Sequence, residues 1–242
     1  MIGRVSRVGL VLLAPLMLLG CLLAPGKFTS SLVINADRSF TYTYSGEVYA
    51  FDMNDAMKGM GTPGGDEDDK TKTSLDKVGF QKKDAAPKEP DADTKADNDT
   101  KNRALAAALA KEIGYRKVEY LGDNKFMIDY QISGKLDHTF IFPYNLDAGV
   151  ILPFVAVELR ANGTVRIKAP GFANDSKDTS GVGGDAGKAA AKLDGTFTLD
   201  TDAELISQNN EEGATTSGAR KIVTWKASPL TSTAPMAVLK FK

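Results

Sequence analysis

Leu18-Leu19-Gly20-Cys21 is the stretch whose residue types and spacing most directly specify a chemistry. Two branched apolar residues, a glycine and the only cysteine of the chain form a lipobox at the end of an apolar run. In this motif the cysteine sulfur takes a diacylglyceryl group through a thioether, and cleavage before it makes Cys21 the first mature residue. Arg4 and Arg7 supply a positive segment and Val8 to Met17 an apolar one, the order of an export signal over residues 1–20. An uncleaved transmembrane helix is the alternative, since Val8 to Ala24 is almost wholly apolar. A span needs about 20 apolar residues. This run is slightly short of that, and Pro15, Gly20 and Pro25 interrupt it. Under either reading the rest of the chain is tethered on the export side of a membrane.

The firmness of a lipid tether follows from magnitude. Each buried methylene contributes about 0.8 kcal/mol, so one acyl chain binds marginally and two or more bind stably. Leu22, rather than an acidic residue, follows the cysteine; under the sorting rule of many diderm lipoproteins this favours the outer membrane over the inner, on the periplasmic side. A single cysteine excludes an intramolecular disulfide, so the domain depends on its core. A free-thiol nucleophile or metal ligand at Cys21 is the competing chemistry.

Other constellations fail on context. Gly181-Val182-Gly183-Gly184-Asp185-Ala186 matches a relaxed dinucleotide fingerprint, and Gly187-Lys188 suggests a phosphate loop. No strand leads into these glycines, Val182 stands where the first phosphate-loop glycine belongs, and Ala189 replaces the Ser or Thr after the lysine. His138, the only histidine, lies beside Asp137, but no Gly-x-Ser-x-Gly elbow occurs and zinc needs several His or Cys ligands. Glycoside hydrolysis needs only two carboxylates, and nothing selects a pair among the many present. The Asp66 to Asp69 cluster offers weak divalent-cation binding or simple solvation. No cofactor and no metal site is implied, and no enzymatic activity is expected.

The elements that would carry a function read as follows. Lys27 to Ile34 and Ser39 to Phe51 are two strands around the turn Asn35 to Arg38. Phe40, Tyr42 and Tyr44 alternate with Thr41, Thr43 and Ser45, a period of two. Core packing is the plain account of that aromatic row; the functional one makes Phe40, Tyr42 and Tyr44 a wall of an apolar ligand cavity. Gly46 marks a bulge or bend. About six residues link Cys21 to the first strand, which holds the domain within roughly 20 Å of the bilayer at about 3.3 Å per residue. Residues from about 58 to 98 are rich in Gly, Pro, Asp, Lys and Thr and predict a disordered insertion.

A helix capped by Asp99 or Thr100 follows, with Leu105, Leu109 and Ile113 on one stripe and Gly114 as its stop. The turn Gly122 to Asn124 joins two strands, Tyr115 to Leu121 and Phe126 to Ser133, and Leu136 to Phe142 continues as a strand. Residues 147–154 are either a buried lead into the strand Val155 to Arg160 or a loop that covers a cavity or dips into the membrane surface. Ala161-Asn162-Gly163 turns into Thr164 to Ala169. After a Gly-rich loop over 170–188 come Gly195 to Asp200 running on through Ser207, Arg220 to Ala227, and Met236 to Phe241. The order predicts one α+β domain over 21–242: a curved antiparallel sheet built from hairpins, one packed helix and a long disordered insertion. Lysines and arginines number 30 against 31 acids, with no basic stripe, which removes the electrostatic footprint of nucleic-acid binding.

Cys21 to Leu32, Phe40 to Glu47, Tyr120-Leu-Gly-Asp-Asn-Lys-Phe126 and Val223-Thr-Trp225 together resemble uncharacterised bacterial envelope lipoproteins of the LppM-like type. The resemblance covers most of the folded part and leaves out the insertion. It implies an α+β ectodomain with an amphiphile-binding cavity and without known catalysis, and it transfers no functional residue except Cys21. The expected function is a membrane-tethered, non-enzymatic module for a lipid or other amphiphile. The alternative is a structural or assembly lipoprotein that binds another envelope protein through its sheet edges and the insertion. On this reading limited proteolysis cuts first between residues 58 and 98 and leaves the remaining core associated; slow amide exchange throughout that segment would contradict it.

Overall fold

A computed structural model describes residues 21–52, 92–144, 153–174 and 191–241. In chain order its elements begin with β1 (Cys21–Ile34), β2 (Ser39–Asp52), α1 (Ala92–Leu109), β3 (Tyr115–Gly122) and β4 (Lys125–Lys135). Then come β5 (Phe140–Phe142), β6 (Val155–Leu159), β7 (Thr164–Lys168), β8 (Asp194–Thr201) and β9 (Glu204–Gln208). β10 (Thr215–Ser217), β11 (Arg220–Ala227) and β12 (Met236–Lys240) close the chain. The strands form a seven-stranded sheet, ordered β10-β11-β8-β1-β2-β4-β3, and a five-stranded sheet, ordered β5-β6-β7-β12-β9. The pairing is antiparallel except for β1 with β8. The predicted α+β class, with mostly antiparallel sheet and one packed helix, describes this architecture.

The β1–β2 hairpin is the centre of the larger sheet. Its alternating Thr, Tyr, Phe and Ser residues fit a pleated surface with one face buried. At its tip the Asp37 carboxylate accepts the Ser39 amide at 2.8 Å, and Arg38 takes a left-handed φ of 69°. The β3–β4 turn likewise places Asp123 and Asn124 at positive φ, the hand that matches a twisted hairpin.

The inner faces of the two sheets meet in one aromatic core. Tyr42 and Tyr44 of β2 are fully buried, with Tyr42 against Phe140 and Phe142 and Tyr44 against Phe142, Phe154 and Phe172. Phe172, carried by a 3-10 turn over Pro170–Phe172, stacks on Phe28 of β1 at 4.2 Å between centroids. The buried hydroxyls are satisfied: Tyr44 donates to the Glu47 carbonyl at 2.8 Å, and the Ser30 hydroxyl lies 3.2 Å from that of Tyr42. Desolvation pushes both phenols well above their ordinary range, so they stay neutral.

Several boundaries differ from the sequence-based expectation, each for a physical reason. β1 starts at Cys21, not Lys27, because Leu22, Leu23 and Ala24 find partners in Phe51, Ala50 and Tyr49. Gly26 and Lys27 fall in a bulge of that pairing between Pro25, opposite Val48, and Phe28, opposite Gly46; next to a bulge the missing amide proton of Pro25 is tolerated. The helix starts at Ala92, inside the stretch read as part of the insertion, and ends at Leu109. Its last amides tighten to i−3 partners, Lys111 to Ala108 and Glu112 to Leu109, so Ile113 leaves the stripe and is exposed. The strand expected from Gly195 through Ser207 is two strands in different sheets. Its corner is fixed by the Ala203 amide on the Thr201 hydroxyl and the Ala36 amide on the Asp202 carboxylate. Leu136 is buried but outside any strand, and β5 begins only at Phe140. Residues 1–20, 53–91, 145–152 and 175–190 lie outside the described residues, and with them the export signal, most of the expected insertion and the Gly181 to Lys188 run.

Because Tyr44 touches four rings in a filled interface, Tyr44→Ala is expected to cost about 3–5 kcal/mol of stability in urea unfolding. A loss below about 1 kcal/mol would mean that this face of β2 lines open space.

Candidate functional site

The site is built outward from Cys21, whose backbone pairs with Asp52 at the open end of the β1–β2 hairpin. From Phe28 to Cys21 this hairpin extends past the start of β8, which pairs with β1 only from Lys27 onward. Tyr49 and Phe51 are buried there around Ala24, and the Lys192 ammonium sits 4.5 Å from the centre of the Tyr49 ring. The extension is therefore packed structure and not a free linker.

Glu47 ties the extension to the sheet. Its carboxylate accepts the Lys27 amide at 3.4 Å, the Tyr49 hydroxyl at 3.3 Å and the Lys125 ammonium at 3.3 Å. Burial alone would raise its carboxyl, but the Lys27 amide and the Lys125 ammonium outweigh that and hold it below the ordinary value. Gly26 and Gly46 leave the room this needs. A Cβ at Gly26 would stand 2.6 Å from the Tyr49 ring, and one at Gly46 would stand 2.3 Å from the Lys27 carbonyl.

Beside this junction lies an open groove of about 660 Å³, where β8 begins and β11 ends. Lys27, Lys226, Phe28, Gly195 and Asp194 are among the residues that line it. Hydroxyls of Thr29, Ser45, Thr196 and Ser228 complete the lining. The lining thus combines two lysines, one aspartate and four hydroxyl-bearing residues with Phe28, Gly195 and Ala227. Nothing in the lining is arranged as a nucleophile beside a base.

The aromatic row lies elsewhere. Phe40, Tyr42 and Tyr44 face the five-stranded sheet as packed core, 8%, 0% and 0% exposed, and the rings of β5, Phe154 and Phe172 fill the space a ligand would take. Of the 147–154 segment, Phe154 is buried in that core and residues 147–152 lie outside the described residues. His138 and Asp137 bond to each other on the surface. Among the described residues no group of three or more His, Cys, Asp and Glu is placed to hold a metal, and no helix is long and apolar enough to cross a membrane. Sequence reasoning flagged Gly46 but missed Lys27, Glu47, Gly195 and Lys226, whose proximity depends on long-range pairing.

Glu47 yields a pH prediction with a definite sign. A carboxyl held low by folding contributes stability above the ordinary carboxylate range, near 4.3, which is lost as pH falls through the folded value. Glu47→Gln is expected to cost about 1–2 kcal/mol at neutral pH. In acid the variant and the parent should converge. Equal gaps in urea unfolding at every pH would refute the ionic role.

No family model matches the chain, and no curated protein matches it. Among solved structures, the chain is similar to the folded domain of the Mycobacterium tuberculosis protein LppM, determined by NMR. The match has 15% identity and a TM-score of 0.30, and covers 90% of this chain and 91% of that one. It is a distant structural resemblance.

Proposed function

We propose that the chain is a membrane-tethered envelope lipoprotein, anchored through Cys21 on the periplasmic side, that serves as a non-enzymatic module for a lipid or other amphiphile. The observation that carries this reading is that Cys21 is itself paired in β1, opposite Asp52. Acyl chains on that sulfur would enter the bilayer with no slack between anchor and sheet, so the anchored end of the domain meets the headgroup layer. Leu22 after the cysteine favours the outer membrane. With the aromatic core filled, an amphiphile would be met in the groove between Lys27 and Lys226 and not among Phe40, Tyr42 and Tyr44.

The rival, an assembly lipoprotein that pairs a sheet edge with another envelope protein, draws less support from the edges. β5 and β10 are three residues long, β9 carries a bulge at Ile206, and β3 presents Arg116, Lys117 and Glu119 beside α1. Short, bulged and charged edges are the means by which proteins discourage edge pairing.

Mass spectrometry of membrane-extracted protein is expected to show acyl mass on a peptide beginning at Cys21, and Cys21→Ser should abolish it. Recovery of an intact Met1 peptide would reject the lipoprotein reading. Native mass spectrometry of the delipidated protein is expected to retain an amphiphile. An empty protein that cross-links reproducibly to one envelope partner would favour the rival instead.

A further inference from the structure

We infer that the loop between β11 and β12 is a second membrane contact, with Leu230 entering the bilayer while Lys27 and Lys226 hold the phosphates of anionic lipid headgroups. This deepens the proposed function and takes its orientation from the tether at Cys21. Three observations converge on it.

The first is direction. β1 runs away from Cys21, β8 runs parallel to β1, and β11 runs antiparallel to β8, so the chain in β11 travels back toward the anchored end. It leaves the sheet at Ala227, opposite Gly195 and level with Phe28, and Leu230 lies three residues farther on.

The second is the state of Leu230. It is 92% exposed, the most exposed large apolar side chain among the described residues. It does not ride on a loose strand of chain. The Ser228 amide donates to the Thr231 hydroxyl at 3.0 Å and the Thr231 amide to the Ser228 carbonyl at 3.0 Å. From outside the turn, the Asn174 amide donates to the Thr231 carbonyl at 2.7 Å, and the Asn174 side chain donates to the Pro229 carbonyl at 3.0 Å. A single exposed leucine is ordinary; one held at the tip of a braced turn, on the side of an acyl anchor, is placed to enter a bilayer.

The third is charge. Lys226 and Lys27 both line the groove at the end of β11 from which the loop leaves, together with Ser228, Thr196, Thr29 and Ser45. Asp194 is the one carboxylate in the lining, which leaves the groove with a net positive charge. Such a surface matches a phosphate that carries a polyol, with apolar contact supplied by Leu230 below. The occupant is the anionic bilayer itself.

The test uses the full acylated chain reconstituted into vesicles. Thioether formation blocks Cys21, so Leu230→Cys introduces a unique thiol for an environment-sensitive dye. Lys135→Cys places the same dye at the opposite end of the sheet, where Lys135 pairs with Ser39. On phosphatidylglycerol-containing vesicles with quenchers in the lipid tails, the dye at 230 should be quenched several-fold more than the dye at 135. Each of Lys27→Gln and Lys226→Gln should lower the docked-to-undocked ratio about fivefold, and salt should do the same. A dye at 230 as wet as the one at 135 overturns the inference. So does quenching that is equal on neutral phosphatidylcholine vesicles and indifferent to salt. Acyl mass on the Cys21 peptide is read separately, so a wet Leu230 site on an acylated protein rejects the docking and leaves the tether standing.

Discussion

The packing of Phe28 is the constraint on which the rest of the molecule depends. Its ring stacks on Tyr44 of the neighbouring strand β2 and on Phe172 of the 3-10 turn, and it lies in β1 just after the bulge. Both neighbouring strands give way to it with glycine. A Cβ at Gly195 would stand 2.4 Å from the ring, and one at Gly46 would stand 2.5 Å from the Phe28 Cα. Any side chain there would displace β1 from β2 or from β8, and real Cβ contacts do not reach such distances. The glycines are therefore a packing requirement. They admit one aromatic ring at the point where three strands and the second sheet meet.

That junction also determines how the anchored end relates to the core. Above Phe28, β1 is flanked by β2 and β8 and covered by the five-stranded sheet; below it β8 stops, β2 stays paired with β4 as far as Tyr49 and Lys125, and only Cys21 to Leu23 with Ala50 to Asp52 form a two-stranded ribbon. A two-stranded ribbon alone is marginal in water. Here it is supported by the Glu47 contacts to Lys27, Tyr49 and Lys125, by Lys192 over Tyr49, and by the Asn124 carbonyl on the Ala50 amide. These polar ties are individually small, near 1 kcal/mol each. Together they make Cys21 part of the fold, so a lipid on Cys21, as proposed, would have its orientation transmitted to the sheets.

Local patterns in the sequence account for what could be read from it, and non-local pairing accounts for what could not. The β3–β4 and β6–β7 hairpins were legible because alternation and turn residues such as Asn162-Gly163 lie within a few positions of one another. The division into two sheets was not, since Thr201 to Glu204 keeps enough alternation to read as one strand while the chain changes sheets. The parallel pairing of β1 with β8 leaves no local mark. Lys27 and Lys226 therefore become neighbours only through β8, and the groove between them is invisible to any window of sequence. The aromatic row of β2 was read with the right face and with two accounts open; its neighbours on β5 and the turn at Phe172 decide for core.

The remaining surface explains why contact chemistry concentrates at one end. The outer face of the larger sheet is a lattice of hydroxyls that bond across strands, Ser31 to Thr43 at 2.7 Å, Thr41 to Ser133 at 2.8 Å and Thr198 to Thr224 at 3.2 Å. Groups satisfied by one another offer little to a partner, because any new bond must replace an existing one. At the far end Arg220 is likewise engaged, with Asp200 and with Asn35 at 3.0 Å, and Asp202 holds the Ala36 amide. Among the described residues Lys226 and the Lys27 ammonium form no ion pair, and both line the groove where β8 begins and β11 ends. The mutual polar bonds among the described residues thus lie on the face and at the distal tip, while these two lysines stand on the side of the sheet nearer Cys21.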